Sequence, residues 1–219
     1  VYCKSSWVMN QELLQYIENE IIPRYNGFDR SHSVSHAEDV IGRSLELAKS
    51  YDVNIDMVYA VAAFHDTGLV AGREFHHIES GKIVREDKNL KRWFSEEQIE
   101  TMAEAVEDHR ASSGEPPRSI YGKIVSQADR LIVPEVVFTR TVQYGLAHYP
   151  EKPKEEQYQR FLSHLLEKYA RGGYLKLWLP EGESAENLEK IRDIIEDRDA
   201  LRAIFESIYA EQYVADTPI

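Results

Sequence analysis

Six of the eight histidines in this 219-residue chain lie between positions 32 and 109, and one of them, His65, is followed directly by Asp66. Imidazole and carboxylate together bind borderline and hard divalent ions and leave positions open for water. Metal-bound water loses a proton near neutral pH and becomes a nucleophile. The His-Asp doublet follows Ala60-Val61-Ala62-Ala63-Phe64, and ionisable groups beside so apolar a segment are costly unless paired or metal-bound. Successive residues on a helix diverge by about 100°. His65 and Asp66 therefore reach one ion only if it sits over a helix end or edge. His36, near the start of the preceding helix, comes close to them if the two helices run antiparallel. Asp129, late on a sixth helix, has to return to the same place. Taken singly, each of these is more often an ordinary polar residue near a helix end.

The elements that must position them are helical from end to end. Asn10 caps a helix from Gln11 to about Ile22, with Leu13, Leu14, Ile17 and Ile21 on one stripe and Pro23 as its stop. A second helix runs from about Ser33 to Tyr51. A third runs from Asp56 to Asp66, is apolar almost all round, belongs at the centre of the core, and ends at Gly68. Phe75 to Glu86 forms a fourth. Ser95 and Gln98 form a capping box that opens a fifth, reaching about His109. Ser119 to at least Leu131 is a sixth. Residues 136–148, 155–170 and 184–213 supply the remaining helices. Tyr174–Leu179 alternates weakly, but a lone strand is unstable, so it reads as a packed loop or helical turn. The expectation is one all-α domain over residues 1–219, with a core over about 30–135 and a helical extension over about 136–219.

The segments SHSVSHAEDV, AVAAFHDTG and KIVSQADRL, in that order, resemble the HD superfamily of metal-dependent phosphohydrolases. The resemblance spans about residues 30–135. It implies the all-α HD fold and makes His36, His65, Asp66 and Asp129 match the family's metal ligands, with Asp66 also placed as the catalytic residue. His32 lies four residues before His36, shares a helical face with it and can take its place. The histidine followed by Ala-Glu-Asp-Val fits the resemblance better. In superfamily members with two metals, extra histidines occur where this chain has His77 (in HHIESGKIV) and His109 (in EDHRASSGEPP). Both are either ligands of a second ion bridged by Asp66, or phosphate contacts, or surface histidines; His76 is expected to point elsewhere. Lys82 and Arg110 are the cations expected to meet substrate phosphate. Glu79 and Asp108 are candidate proton carriers, though solvated helix faces are commoner.

The implied cofactor is one or two divalent ions among Mn, Fe, Mg, Co, Ni and Zn, and the implied reaction is hydrolysis of a small phosphate ester or nucleotide. A di-iron oxygenase of the HD type and a non-catalytic nucleotide-binding sensor are the competing readings. A net charge of −12 without a basic run disfavours binding to a nucleic-acid backbone. No P-loop, GxGxxG or GxSxG motif occurs. The single cysteine, Cys3, suits a reducing compartment. With no apolar run of spanning length and no secretory pattern, a cytoplasmic location is expected.

Overall fold

A computed structural model of the chain describes residues 8–28, 33–110 and 115–215; Cys3 and His32 fall outside these residues. Among the described residues there are ten α-helices and no strand. The chain divides into two compact units, Val1–Arg130 and Leu131–Ile219.

In the first unit, α1 (Gln11–Tyr16) starts where the Asn10 side chain accepts from the amides of Glu12 and Leu13. It passes through one π-helical turn, Ile17–Ile21, into a 3₁₀ segment, Ile22–Gly27. Pro23 does not stop the chain as its sequence suggested. It falls in the first turn of the 3₁₀ segment, where its missing N–H is not needed. The 3₁₀ segment delivers Tyr25, 1% exposed, into the core.

Helix α2 (Val34–Ala48) is capped by Ser33, whose hydroxyl accepts from the His36 amide. Helix α3 (Ile55–Phe64) is capped by Asn54, and eight of its ten residues are buried. It packs against α2, α5 (Glu96–Glu107) and α6 (Ile120–Asp129), which is why it is apolar on nearly every side. Both halves of the Ser95–Gln98 capping box are present at the start of α5.

The end of α3 differs from the sequence expectation. The helix stops at Phe64, and a 3₁₀ segment, Thr67–Ala71, follows directly. Gly68 lies inside that segment and is there for space, not for a left-handed cap. A Cβ at Gly68 would sit 2.1 Å from the His76 carbonyl oxygen and 2.4 Å from the Ser80 nitrogen, and the Gly68 amide donates to the Ser80 hydroxyl at 2.7 Å. This close approach seats α4 (His76–Glu86) against the end of α3.

The second unit holds α7 (Pro134–His148), α8 (Lys154–Lys168), α9 (Glu183–Glu196) and α10 (Arg198–Ala215). Phe138, Phe161, Phe205, Leu165 and Ile191 form a core within this unit. Residues 174–179 run as an irregular segment with Leu179 buried.

Two glycine substitutions separate these roles. Gly68→Ala is expected to destabilise the protein by about 1–3 kcal/mol, because backbone rather than a flexible side chain blocks the new methyl. Gly42→Ala, in α2 with nothing within 4 Å of the added Cβ, is expected to stabilise it by about 0.5–1 kcal/mol. Urea unfolding of both variants measures the difference; equal effects would contradict the steric account.

Candidate metal centre

Each candidate ligand sits at a helix terminus. His36 is in the first turn of α2, and His76 is the first residue of α4. His65 caps the end of α3, Asp129 is the last residue of α6, and His109 lies just past α5. Helix ends carry partial charge, and the C-terminal ends of α3, α5 and α6 favour a cation between them. Arg43, on α2, donates to the Ala128 carbonyl at 2.7 Å and so ties the end of α6 to α2.

Three imidazoles share one device. The Nδ1–H of His65 donates to the Ala62 carbonyl at 2.7 Å, that of His76 to Arg73 at 2.8 Å, and that of His109 to Val106 at 2.6 Å. A carbonyl can only accept, so Nδ1 carries the proton and the Nε2 lone pair faces inward. Such a backbone acceptor fixes the tautomer of a metal-binding histidine.

The inward atoms form two groups that share Asp66. Its Oδ2 lies 3.1 Å from His65 Nε2 and 3.8 Å from His36 Nε2. Its Oδ1 lies 3.3 Å from both His76 Nε2 and His109 Nε2. His36 Nε2 is 3.1 Å from Asp129 Oδ1, and His65 Nε2 is 3.8 Å from that oxygen. The two imidazole pairs approach closely, with Nε2 of His36 and His65 3.4 Å apart and Nε2 of His76 and His109 3.3 Å apart. Facing lone pairs at that distance repel unless a proton or a cation lies between them. Either group, His36-His65-Asp66 or Asp66-His76-His109, could hold a metal ion, with donor atoms within 4.8 Å of one another. Nitrogen and carboxylate oxygen suit first-row divalent ions.

Burial divides the centre. His65, Asp66 and His109 are 0%, 3% and 2% exposed, whereas the side chains of His36, Asp129 and His76 are partly open to solvent. Burial alone would lower His65 and raise Asp66. The Asp66 carboxylate reverses the first effect and holds His65 up at about 9. The His65 and His109 imidazoles reverse the second and hold Asp66 far below the usual carboxylate range. Asp129 is held low in the same way, with burial opposed by His36 and His65.

The structure brings together His36, His65, Asp66 and Asp129, and adds His76 and His109. It corrects the choice between the neighbouring histidines. His76, not His77, meets Asp66, because α4 starts at His76 and packs with Ser80 and Val84 inward, and residues four apart share a face. His77 is turned about 100° away; its Nδ1 is buried without a hydrogen-bond partner among the described residues. Lys82 lies six residues after His76, on another face of α4, and pairs there with Glu79 at 3.4 Å. Arg110 donates to the Glu74 carbonyl at 2.7 Å, beside the start of α4. Asp108 is taken by Arg118, with Nε to Oδ1 at 3.0 Å.

Sequence reasoning missed Tyr25. Its hydroxyl donates to the Ala63 carbonyl at 2.9 Å and accepts from the Asp66 amide at 3.3 Å, and so holds the backbone on both sides of His65. Burial, with the Asp66 carboxylate nearby, pushes its phenol well above the ordinary value, which keeps it a neutral donor.

Residues 34–133 match the family model of the HD domain. The fold is similar to the crystal structure of a predicted HD superfamily hydrolase from an uncultured Thermotogales bacterium, at 16% identity and a TM-score of 0.50, over 91% of this chain and 92% of that one. No curated protein matches the sequence. The chain therefore carries an HD domain over residues 34–133, and the described residues are all-α in fold.

Tyr25→Phe keeps the ring but strands a buried carbonyl and a buried amide. It is expected to cost about 1–3 kcal/mol in urea unfolding; a loss within error of zero would remove Tyr25 from the support of the site. The pH response gives a second check. His65 has its folded-state pKa raised from 6.5 to about 9. In metal-free protein its contribution to stability is therefore complete below pH 6.5 and is lost as pH rises through 9. A bound metal must displace that proton, so stabilisation by metal grows over the same window. Melting curves of metal-stripped and metal-loaded protein should diverge from pH 6.5 to 9; a constant gap would contradict the exchange of proton for metal at His65.

Proposed function

We propose that this HD domain protein is a metal-dependent phosphohydrolase that acts on a small phosphate ester or nucleotide. The observation that carries the reading is the single buried carboxylate, Asp66, with one oxygen toward His65 and His36 and the other toward His76 and His109. Residues in this arrangement fit two divalent ions; His36, His65, Asp66 and Asp129 would hold one, and Asp66, His76 and His109 the other. When bound, such ions polarise a phosphoryl oxygen and acidify water.

The chain's own residues supply the rest. The backbone carbonyls behind His65, His76 and His109 hold the proton on Nδ1 and aim Nε2 of each ring inward. Tyr25 fixes the Asp66 backbone. The partly open edge at His36, Asp129 and His76 is the side from which a phosphate and water reach the centre. Asp66, held ionised, is placed to accept a hydrogen bond from that water and so to orient it; its lowered pKa makes it a positioning group rather than a strong base. Arg110, one residue beyond His109, is the cation assigned to a phosphate contact. Lys82, paired with Glu79 on another face, is left out of this proposal.

The nitrogen-rich donor set also suits iron, which favours oxygen activation at a di-iron centre of the HD type as a second reading. Purified protein, stripped and reloaded with individual divalent metals, is to be assayed against a panel of phosphate esters and nucleotides. The expected result is turnover that chelation abolishes and that Asp66→Ala lowers by at least about 10²-fold. Iron-dependent oxygen uptake without phosphate release would select the second reading. Tight nucleotide binding without either reaction would make the protein a sensor.

A further inference from the structure

The second unit carries a groove that the metal centre does not explain. A cavity of about 490 Å³ lies between α7 and α8. A second, of about 440 Å³, shares Tyr144, Arg160 and His164 with it. Both volumes fall in the range of small-molecule sites. From α7 come Val136, Val137, Arg140 and Tyr144; from α8 come Arg160, His164 and Lys168, spaced four residues apart and so aligned on one face.

Three features make the groove unusual for this chain. The first is charge. The protein is strongly acidic overall, with 38 acidic and 26 basic residues. Many of its basic side chains, such as Arg85, Arg118, Arg171 and Arg202, are paired with carboxylates. Arg140, Arg160 and Lys168 have no carboxylate partner among the described residues. No carboxylate lines the first cavity; Glu167 lines the second and accepts there from Ser163 at 3.1 Å.

The second is the state of Arg160. One of its terminal nitrogens donates to the Thr141 carbonyl, and its Nε is buried with no hydrogen-bond partner. Burial lowers its pKa from the ordinary guanidinium value, and Tyr149 and Tyr144 are the groups that oppose this. Room for the guanidinium is built into α7: a Cβ on Gly145 would lie 2.5 Å from Arg160 Nε. A half-buried guanidinium with no counter-ion is a costly arrangement unless an anion completes it.

The third is the aromatic wall. Tyr144 is 51% exposed, with the Arg160 guanidinium 5.8 Å from its ring centre, and it stacks on His148 at 3.9 Å. The Tyr144–His148 pair is thus a half-exposed aromatic stack at the rim of the groove beside the cations, of the kind that a further planar ring can join by its edge or by extending the stack. The α7 first turn, with its positive end, lines the same groove through Val136 and Val137.

We propose that the α7–α8 groove binds a phosphate monoester carrying a planar ring, of which a nucleoside monophosphate is the simplest example. Arg160, Arg140 and Lys168 take the phosphate, and Tyr144 takes the ring. Three cations match a dianionic phosphate better than a singly charged carboxylate, and a guanidinium presents paired donors to it. This assignment does not depend on the reaction proposed for the metal centre.

The test uses full-length Asp66→Ala protein treated with chelator, so that the HD centre cannot hold a phosphate through metal; chelated wild-type protein serves if that variant does not fold. Calorimetric titration with AMP, adenosine and inorganic phosphate measures each part. AMP is expected to bind once per chain, more tightly than either fragment. The exposed Arg140→Ala and the helix-end Lys168→Ala are chosen because Arg160 packs on Gly145 and its removal disturbs the fold. Together they are expected to weaken AMP at least about tenfold, with affinity falling as salt rises. Tyr144→Ala is expected to weaken AMP and leave inorganic phosphate unchanged. No binding of AMP at millimolar concentration, AMP no tighter than phosphate, or unchanged affinity in the double variant would each overturn the proposal. A negative result here leaves phosphohydrolysis at the metal centre standing, because that is read by turnover with metal present.

Discussion

The arrangement of the first unit depends on one constraint: imidazole lone pairs and carboxylate oxygens are held within a few ångströms of Asp66, where they repel unless positive charge lies between them. His65 responds by holding a second proton to about pH 9, and a divalent ion is the alternative occupant. The surrounding structure keeps the groups from relaxing apart. Tyr25 clamps the turn at Ala63 and Asp66, Arg43 pulls the end of α6 to α2, and Gly68 allows α4 to lie on the end of α3. None of the three is drawn among the inward-facing donors, yet each fixes the position of one or more of them. Preorganisation of this kind is what a site needs if its geometry is to persist without its ligand.

Much of this was legible in the sequence, and the reasons are local. An apolar run as complete as Met57–Phe64 belongs in a core, so the ionisable pair directly after it had to be satisfied there. The capping box at Ser95 depends on residues within one turn, and it is formed as read. The all-α class follows from such signals repeated along the chain. What could not be read depended on distant backbone. Pro23 looks like a stop until the tighter 3₁₀ turn that accommodates it is seen. Gly68 looks like a cap until the α4 backbone is placed against it. Tyr25 carries no motif at all, since its partners are 38 and 41 residues away.

The choice between His76 and His77 shows how small the margin is. Adjacent residues on a helix differ by about 100°, so a one-residue difference in register exchanges an inward ring for a sideways one. The signal that distinguishes them is the stripe His76-Ser80-Val84, whose last two members are buried. Gly81, four residues after His77, serves a different contact: a Cβ there would meet the Glu107 side chain at 2.6 Å. In the second unit, Phe138, Phe161, Leu165 and Phe205 cluster with one another, a grouping that the spacing along the chain does not reveal. The cationic groove between α7 and α8 was equally silent, because Arg160, His164 and Lys168 acquire meaning only from lining one cavity in which no carboxylate takes part.

The account rests on Asp66 serving two groups of ligands through its two oxygens, and metal stoichiometry tests this most directly. Elemental analysis of manganese-, iron- or cobalt-loaded protein is predicted to give two ions per chain for the wild type and for His77→Ala, and one for His76→Ala. One ion in the wild type, or two retained by His76→Ala and one lost from His77→Ala, would contradict it.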